Sequence, residues 1–255
     1  MIRTIICFIY FFIYLIITLP LLMKVIVLDK QNKIADRDEL VYRVAGNWAR
    51  LLVKLSGSEV KVIGHENVPK DGPVLFVSNH QGNFDIPILI GFIDKPKAFI
   101  SKIEVRKLPI IRTWMYYMNC IFIKRGDARK ALEAINQGVE VLKEGYSLVI
   151  FPEGTRSKDG NLGEFKPGSL KLATKSGMPI VPVTIKGSYK IMKKNSFSVH
   201  PAYVEIIISP AVSPDIIAAK DSKDLAEMIK NIISNNLYSD APIFTHDTLE
   251  KIPCP

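Results

Sequence analysis

Seven short apolar runs punctuate this chain, at 60–63, 74–78, 97–101, 120–124, 147–151, 180–185 and 203–208. Apolar residues at helical spacing lie between most of them and after the last, over 84–92, 108–118, 127–144, 168–177 and 221–237. In the last of these, Leu225, Ile229, Ile232, Ile233 and Leu237 share one side. Runs this short read as strands, and strands alternating with helices imply an α/β domain: a central, mostly β layer flanked by helices. Hydrophobic residues make up 48% of the 255, enough for a packed core and too many for a disordered chain. The sequence has no internal repeat and no low-complexity tract.

A different pattern opens the chain. Ile5 to Met23 is a 19-residue run without a charge, flanked by Arg3 and Lys24. About 20 apolar residues cross the hydrocarbon core of a bilayer. A secretory signal is the competing reading, but Leu19-Pro20-Leu21-Leu22 is bulky where a cleavage site needs small residues. Residues 1–28 are therefore expected to anchor the chain in a membrane. Pro20 removes one backbone donor, so two arrangements fit: one span kinked near its end, or two short helices dipping into one leaflet. Lys24, Lys30, Lys33 and Arg37 follow the run, which places the remainder on the cytoplasmic side. Asp29 to Arg37 is polar and reads as a connector. Leu40, Val41, Val44, Trp48, Leu51, Leu52 and Leu55 then predict an amphipathic helix over 38–55, ended by Ser56-Gly57. Its apolar face either packs on the domain, the reading preferred here, or lies on the membrane. The expected organisation is thus an anchor at 1–28, connector and helix at 29–58, the main α/β domain at 59–240 and a loosely ordered tail at 241–255.

The strand at 74–78 runs into Asn79-His80-Gln81-Gly82-Asn83-Phe84-Asp85, then Ile86-Pro87. Ligand sites in open α/β sheets collect beyond strand ends, and Pro87 suits the first turn of a helix. On one continuous helix, residues five apart point in different directions. Across a turn containing Gly82, His80 and Asp85 can meet. The carboxylate would then fix the imidazole tautomer and stabilise the imidazolium, leaving the other ring nitrogen to accept a proton. A loop histidine that merely caps a turn fits the same spacing. The other histidines, His65, His200 and His246, lack this combination of strand-end position and nearby carboxylate.

The strand at 147–151 ends in Phe151-Pro152-Glu153-Gly154-Thr155-Arg156-Ser157. Gly154 lets backbone N–H groups approach a ligand, and Arg156 can grip phosphate oxygens in a two-pronged pair. Glu153 either accepts hydrogen bonds from a polyol or holds the loop. A purely structural turn fits this stretch as well.

The formal net charge of +9 suits an anionic partner: nucleic acid, lipid headgroups or a phosphorylated substrate. Its basic residues are scattered and carry no nucleic-acid signature. Cys7, Cys120 and Cys254 lie far apart, so neither a disulfide framework nor a zinc site is suggested, and no metal-ligand spacing occurs elsewhere.

These motifs, with two others in order, resemble the glycerolipid acyltransferase family across about residues 38–237. The NHxxxxD signature is Asn79-His80 with Asp85. The second signature is Ile121-Phe122-Ile123-Lys124-Arg125-Gly126, with Lys124 where an acidic or polar residue is common. The third, FPEGTRS, is complete at 151–157, and the fourth is Ile180-Val181-Pro182-Val183. The resemblance implies that His80 is the general base and Asp85 its orienting partner. It implies further that Arg125, Glu153, Gly154, Thr155 and Arg156 bind a glycerol phosphate acceptor, with Lys102 assisting at the phosphate and Val181-Pro182 on the donor side. The implied reaction moves an acyl group from a thioester of CoA or acyl carrier protein to the 2-hydroxyl of lysophosphatidate. It takes place at membrane lipids and without metal or cofactor.

No GxSxG elbow and no serine or cysteine in a nucleophile context accompanies His80, which favours direct attack by the acceptor hydroxyl. Backbone N–H groups near Gly82, or a water, are the candidate oxyanion donors. Two alternatives stay open: the same chemistry on glycerol 3-phosphate or another lysophospholipid, and a non-enzymatic, membrane-tethered module that binds anionic lipid.

Overall fold

The computed structural model describes residues 1–124, 126–157, 159–193 and 195–239. Seven strands alternate with helices along it. They are β1 (Glu59–Ile63), β2 (Leu75–Ser78), β3 (Lys97–Lys102), β4 (Ile121–Ile123), β5 (Ser147–Ile150), β6 (Ile180–Lys186) and β7 (Tyr203–Ile208). The described helices are α1 (Ile2–Ile17), α2 (Leu19–Lys30), α3 (Ile34–Leu55), α4 (Asp85–Phe92), α5 (Pro109–Tyr117), α6 (Ala128–Lys143), α7 (Pro167–Ser176), α8 (Pro214–Ala218) and α9 (Ser222–Tyr238). The architecture is the α/β sheet that the apolar runs predict. The tail at 241–255 lies outside the described residues.

The strand order is β1-β7-β6-β2-β5-β3-β4. Neighbours pair in parallel, except β6 with β7. Helices cover both faces, so the inner strands are continuously apolar rather than alternating. Along β2 the pleat sends Val74 and Phe76 into one core with Ile88, Leu89 and Val53. Leu75 and Val77 enter the opposite core with Leu142, Leu170 and Ile229. Ile88 and Leu89 of α4 are fully buried, and each stabilises the fold by roughly 1.5–3 kcal/mol relative to exposure.

Parallel pairing brings strand C-termini to one edge. Val77 pairs with Ile150, Phe99 with Val149 and Ile100 with Ile121. Continued by two residues, this register sets Asn79, Pro152, Lys102 and Ile123 at one level. The loops that carry three of the four motifs therefore leave the sheet side by side.

One sequence expectation changes. The polar stretch Asp29–Arg37 is not an open connector: α2 runs to Lys30 and α3 begins at Ile34. The Arg37 guanidinium neutralises the turn, lying 2.6 Å from Asp29 and 2.7 Å from Asp38. Leu28 and Val25 meanwhile pack on Leu40, Val41 and Val44 across it. The apolar face of α3 packs against the body of the protein. The uncharged N-terminal run breaks at Thr18, whose hydroxyl donates to the Tyr14 carbonyl (2.7 Å), and α1 and α2 meet at 44°. Among the described residues no single helix is long and apolar enough to cross a membrane, although the bent pair together meets that length and composition.

Candidate active site

His80 sits two residues beyond β2, and Asp85 is the first residue of α4. The intervening turn brings His80 Nδ1 to 2.7 Å from Asp85 Oδ2. That carboxylate is fully buried, yet it is saturated with donors. Oδ2 also accepts the backbone N–H groups of Gln81 (2.7 Å) and Gly82 (2.9 Å), while Oδ1 accepts the Ser188 hydroxyl. A carboxylate bonded to this many donors is fixed in place. It holds the imidazole with its proton on Nδ1, so Nε2 is left as the acceptor. The ring also lies flat on Phe151, with centroids 4.1 Å apart and an interplanar angle of 18°.

The loop around the pair is locked from several sides. Asn79 extends the β2–β6 ladder with its side chain, donating to the Ile185 carbonyl (2.9 Å) and accepting the Ile185 N–H (2.8 Å). Gln81 donates to the Gly160 carbonyl (2.9 Å) and accepts the Gly187 N–H (2.9 Å). The Ser157 N–H donates to the His80 carbonyl at 2.8 Å, tying the two motif loops together.

Glu153 resolves one open alternative: it holds the loop. It is buried, and its two oxygens accept the N–H groups of His80 (2.7 Å) and Gly163 (3.0 Å). Burial pushes its carboxyl above the usual range, and those two N–H groups oppose the shift. These bonds make Glu153 a bracket behind His80. Gly154 turns with φ at 69°, a conformation that glycine adopts without strain. Thr155 is exposed at the loop tip. Arg156 is half-buried and donates from Nη1 to Asn83 Oδ1. Lys102 is exposed at the end of β3, separated from β2 by β5 and so by two strand spacings, about 10 Å. Arg125 lies outside the described residues, two positions beyond β4.

Of the backbone N–H groups near Gly82, that of Gly82 itself donates to Asp85. Val181 and Pro182 are buried within β6. The Pro182 carbonyl accepts the Ser209 N–H, so the missing proline donor faces that side and costs the β2 ladder nothing.

Ser188 has no signal in the sequence; it lies far downstream and reaches Asp85 only because β6 pairs with β2. Beside the site, a cavity of about 270 Å³ opens between α1, α3, α4, α5 and β3. Phe11, Trp48, Ile86, Phe99, Ile111 and Trp114 line it, among others. Ile86, the residue after Asp85 on α4, is among the side chains that line it.

A histidine held by a buried aspartate thus stands beside an arginine loop and an apolar cavity. A family model described as acyltransferase matches residues 59–186. A probable 1-acyl-sn-glycerol-3-phosphate acyltransferase of Mycoplasma genitalium is 32% identical over 218 residues, 81% of this chain and 79% of that protein. The chloroplastic enzyme LPAT1 of Arabidopsis thaliana is 40% identical over 154 residues, 60% of this chain, although the match spans only 43% of that longer protein. The crystal structure of the 1-acyl-sn-glycerophosphate acyltransferase PlsC from Thermotoga maritima superposes with a TM-score of 0.78 at 28% identity, covering 92% of this chain and 96% of that one. The chain belongs to the acyltransferase family.

Proposed function

We propose that this chain is a 1-acylglycerol-3-phosphate acyltransferase that makes phosphatidate from lysophosphatidate. The observation that carries the reading is the dyad: His80 Nδ1 is held at 2.7 Å by a buried, fully bonded carboxylate, which leaves Nε2 as the base. The names of the relatives supply the acceptor. His80 removes the proton of the acceptor 2-hydroxyl as that oxygen attacks the thioester carbonyl of acyl-CoA or acyl carrier protein. The tetrahedral intermediate collapses, the C–S bond breaks, and the imidazolium returns the proton to the leaving thiolate. A positioned base of this kind accelerates transfer by roughly 10²–10⁴-fold. No acyl-enzyme is needed. The Ser188 hydroxyl is committed to Asp85, and burial pushes the Cys120 thiol up to about 12, which keeps it from serving as a thiolate.

Arg156, with Arg125 beyond β4, binds the acceptor phosphate, and the exposed Lys102 adds positive charge on the same edge. The cavity of about 270 Å³ takes the acyl chain of the donor. Ile5, Ile9, Phe12, Ile13 and Ile16 are exposed on α1, an apolar face that suits insertion of the bent helix pair into one leaflet. This immersion would hold the site at the lipid surface where both chains arrive, with the catalytic edge on the cytoplasmic side.

The test is an acceptor panel with the full chain in mixed micelles, using both CoA and acyl carrier protein thioesters. Phosphatidate should form from lysophosphatidate with at least one donor. Turnover of glycerol 3-phosphate alone would move the assignment to the neighbouring acceptor.

A further inference from the structure

We propose that a second apolar groove holds the 1-acyl chain of the acceptor, so that the two hydrocarbon chains of the reaction occupy separate compartments on either side of one wall. The proposal rests on the acceptor reading above and adds the site that grips the acceptor's tail.

The groove measures about 300 Å³ and is open to the surface. Phe8 of α1, Leu52 of α3, Phe84 of the dyad loop and Val199 line it, among others. Phe11, Trp48 and Ile86 line both this groove and the 270 Å³ cavity, and so form the wall between them. The groove is also lined by Asn83 and Phe84, which lie on the loop between His80 and Asp85.

The two ends of the groove identify its occupant. At one end stands Asn83, whose side chain accepts from Arg156 and donates to Met192 Sδ at 3.2 Å. The groove thus begins next to the arginine assigned to the phosphate. The other cavity touches neither Asn83 nor Arg156. The far end is apolar: the Phe8 and Phe197 rings lie 6.4 Å apart, and Phe197 is 78% exposed. This mouth is continuous with the outward face of α1. In lysophosphatidate the phosphate and the acyl chain leave opposite ends of a three-carbon backbone, with the reacting hydroxyl between them. Phosphate grip, base and tail groove must therefore diverge from one point, and of these two compartments the groove beside Asn83 is the one that meets the arginine loop. A lysolipid could enter its tail sideways from the bilayer while its headgroup stays at the sheet edge.

Burial of one methylene is worth about fourfold in affinity, so chain-length dependence reads the groove directly. Val199→Phe fills it, and Phe8→Ala strips one wall at a partly exposed position. The assay is acyl transfer by the full chain in mixed micelles, comparing 1-hexanoyl with 1-hexadecanoyl acceptors and short with long acyl thioesters. Val199→Phe should lower kcat/KM for the long acceptor by about tenfold and leave the short one within about twofold. Phe8→Ala should reduce the preference for the long acceptor several-fold. Neither should alter the donor chain-length profile. A shift in the donor profile, or no change in acceptor preference, would overturn the proposal. If Val199→Phe loses activity on the short acceptor as well, it has misfolded and Phe8→Ala decides. Wild-type protein inert toward every lysophosphatidate would sink the acceptor reading itself, and the groove assignment with it.

Discussion

Four hydrogen bonds converge on the carboxylate of Asp85, and they make this residue the organiser of the site. Replacement by asparagine keeps its shape but removes its charge and half of its accepting capacity. The amide would offer a donor where the Gln81 and Gly82 N–H groups, the Ser188 hydroxyl and His80 Nδ1 all seek acceptors. Asp85→Asn should therefore favour the wrong imidazole tautomer and lower kcat by about 10²–10⁴-fold. It should also destabilise the fold by about 1–3 kcal/mol through unsatisfied buried donors. Steady-state kinetics and a denaturation curve measure the two effects separately; an unchanged kcat would remove the tautomer argument. His80 and Asp85 were legible in the sequence because a glycine-bearing turn and a helix-start proline confine both to one short loop. For Glu153 the sequence offered the loop-holding role as one of two readings, and only the contacts choose it. Ser188 was not legible: it meets a carboxylate on another element and leaves no trace in local spacing.

Helix α4 presents Asp85 at its N-terminus, and a buried lysine supports its other end. Lys97 Nζ donates to the carbonyls of Leu89 (3.0 Å) and Ile93 (2.8 Å), covering acceptors left over at the helix terminus. Burial lowers its pKa from 10.5 to about 7, with Asp94 opposing and Lys95 reinforcing the shift. Between these values the unfolded chain binds the additional proton, so stability from this group rises with pH across that window and is lowest below it. Lys97→Met removes the titration. In thermal melts the wild type should gain stability relative to this variant from pH 6.5 to pH 9.5, and parallel curves would contradict the assignment. At this scale the sequence showed which segments form elements better than where they end. The apolar periodicity of 38–55 placed α3, but its first turn and the end of α2 are polar. They read as a connector because the ion pairs of Arg37 with Asp29 and Asp38 are invisible in a linear pattern.

Across the whole molecule, function depends on the order of the strands rather than on their existence. All seven strands were legible from apolar runs. Their order was not, because pairing is decided by contacts between distant segments: β1 joins β7 at one edge while β3 and β4 close the other. That order sets the loops after β2, β5, β3 and β4 along one edge. It also lets α1 and α3 build apolar walls next to that edge, and so unites a base, a phosphate grip and two hydrocarbon compartments. The most direct test is acyl transfer from thioester to lysophosphatidate by the full chain and by its His80→Ala variant. The substitution keeps the backbone N–H that Glu153 accepts and removes only the imidazole. The variant should melt close to the wild type and lose roughly 10²–10⁴-fold in kcat. A folded His80→Ala protein that still forms phosphatidate at the wild-type rate would contradict the account.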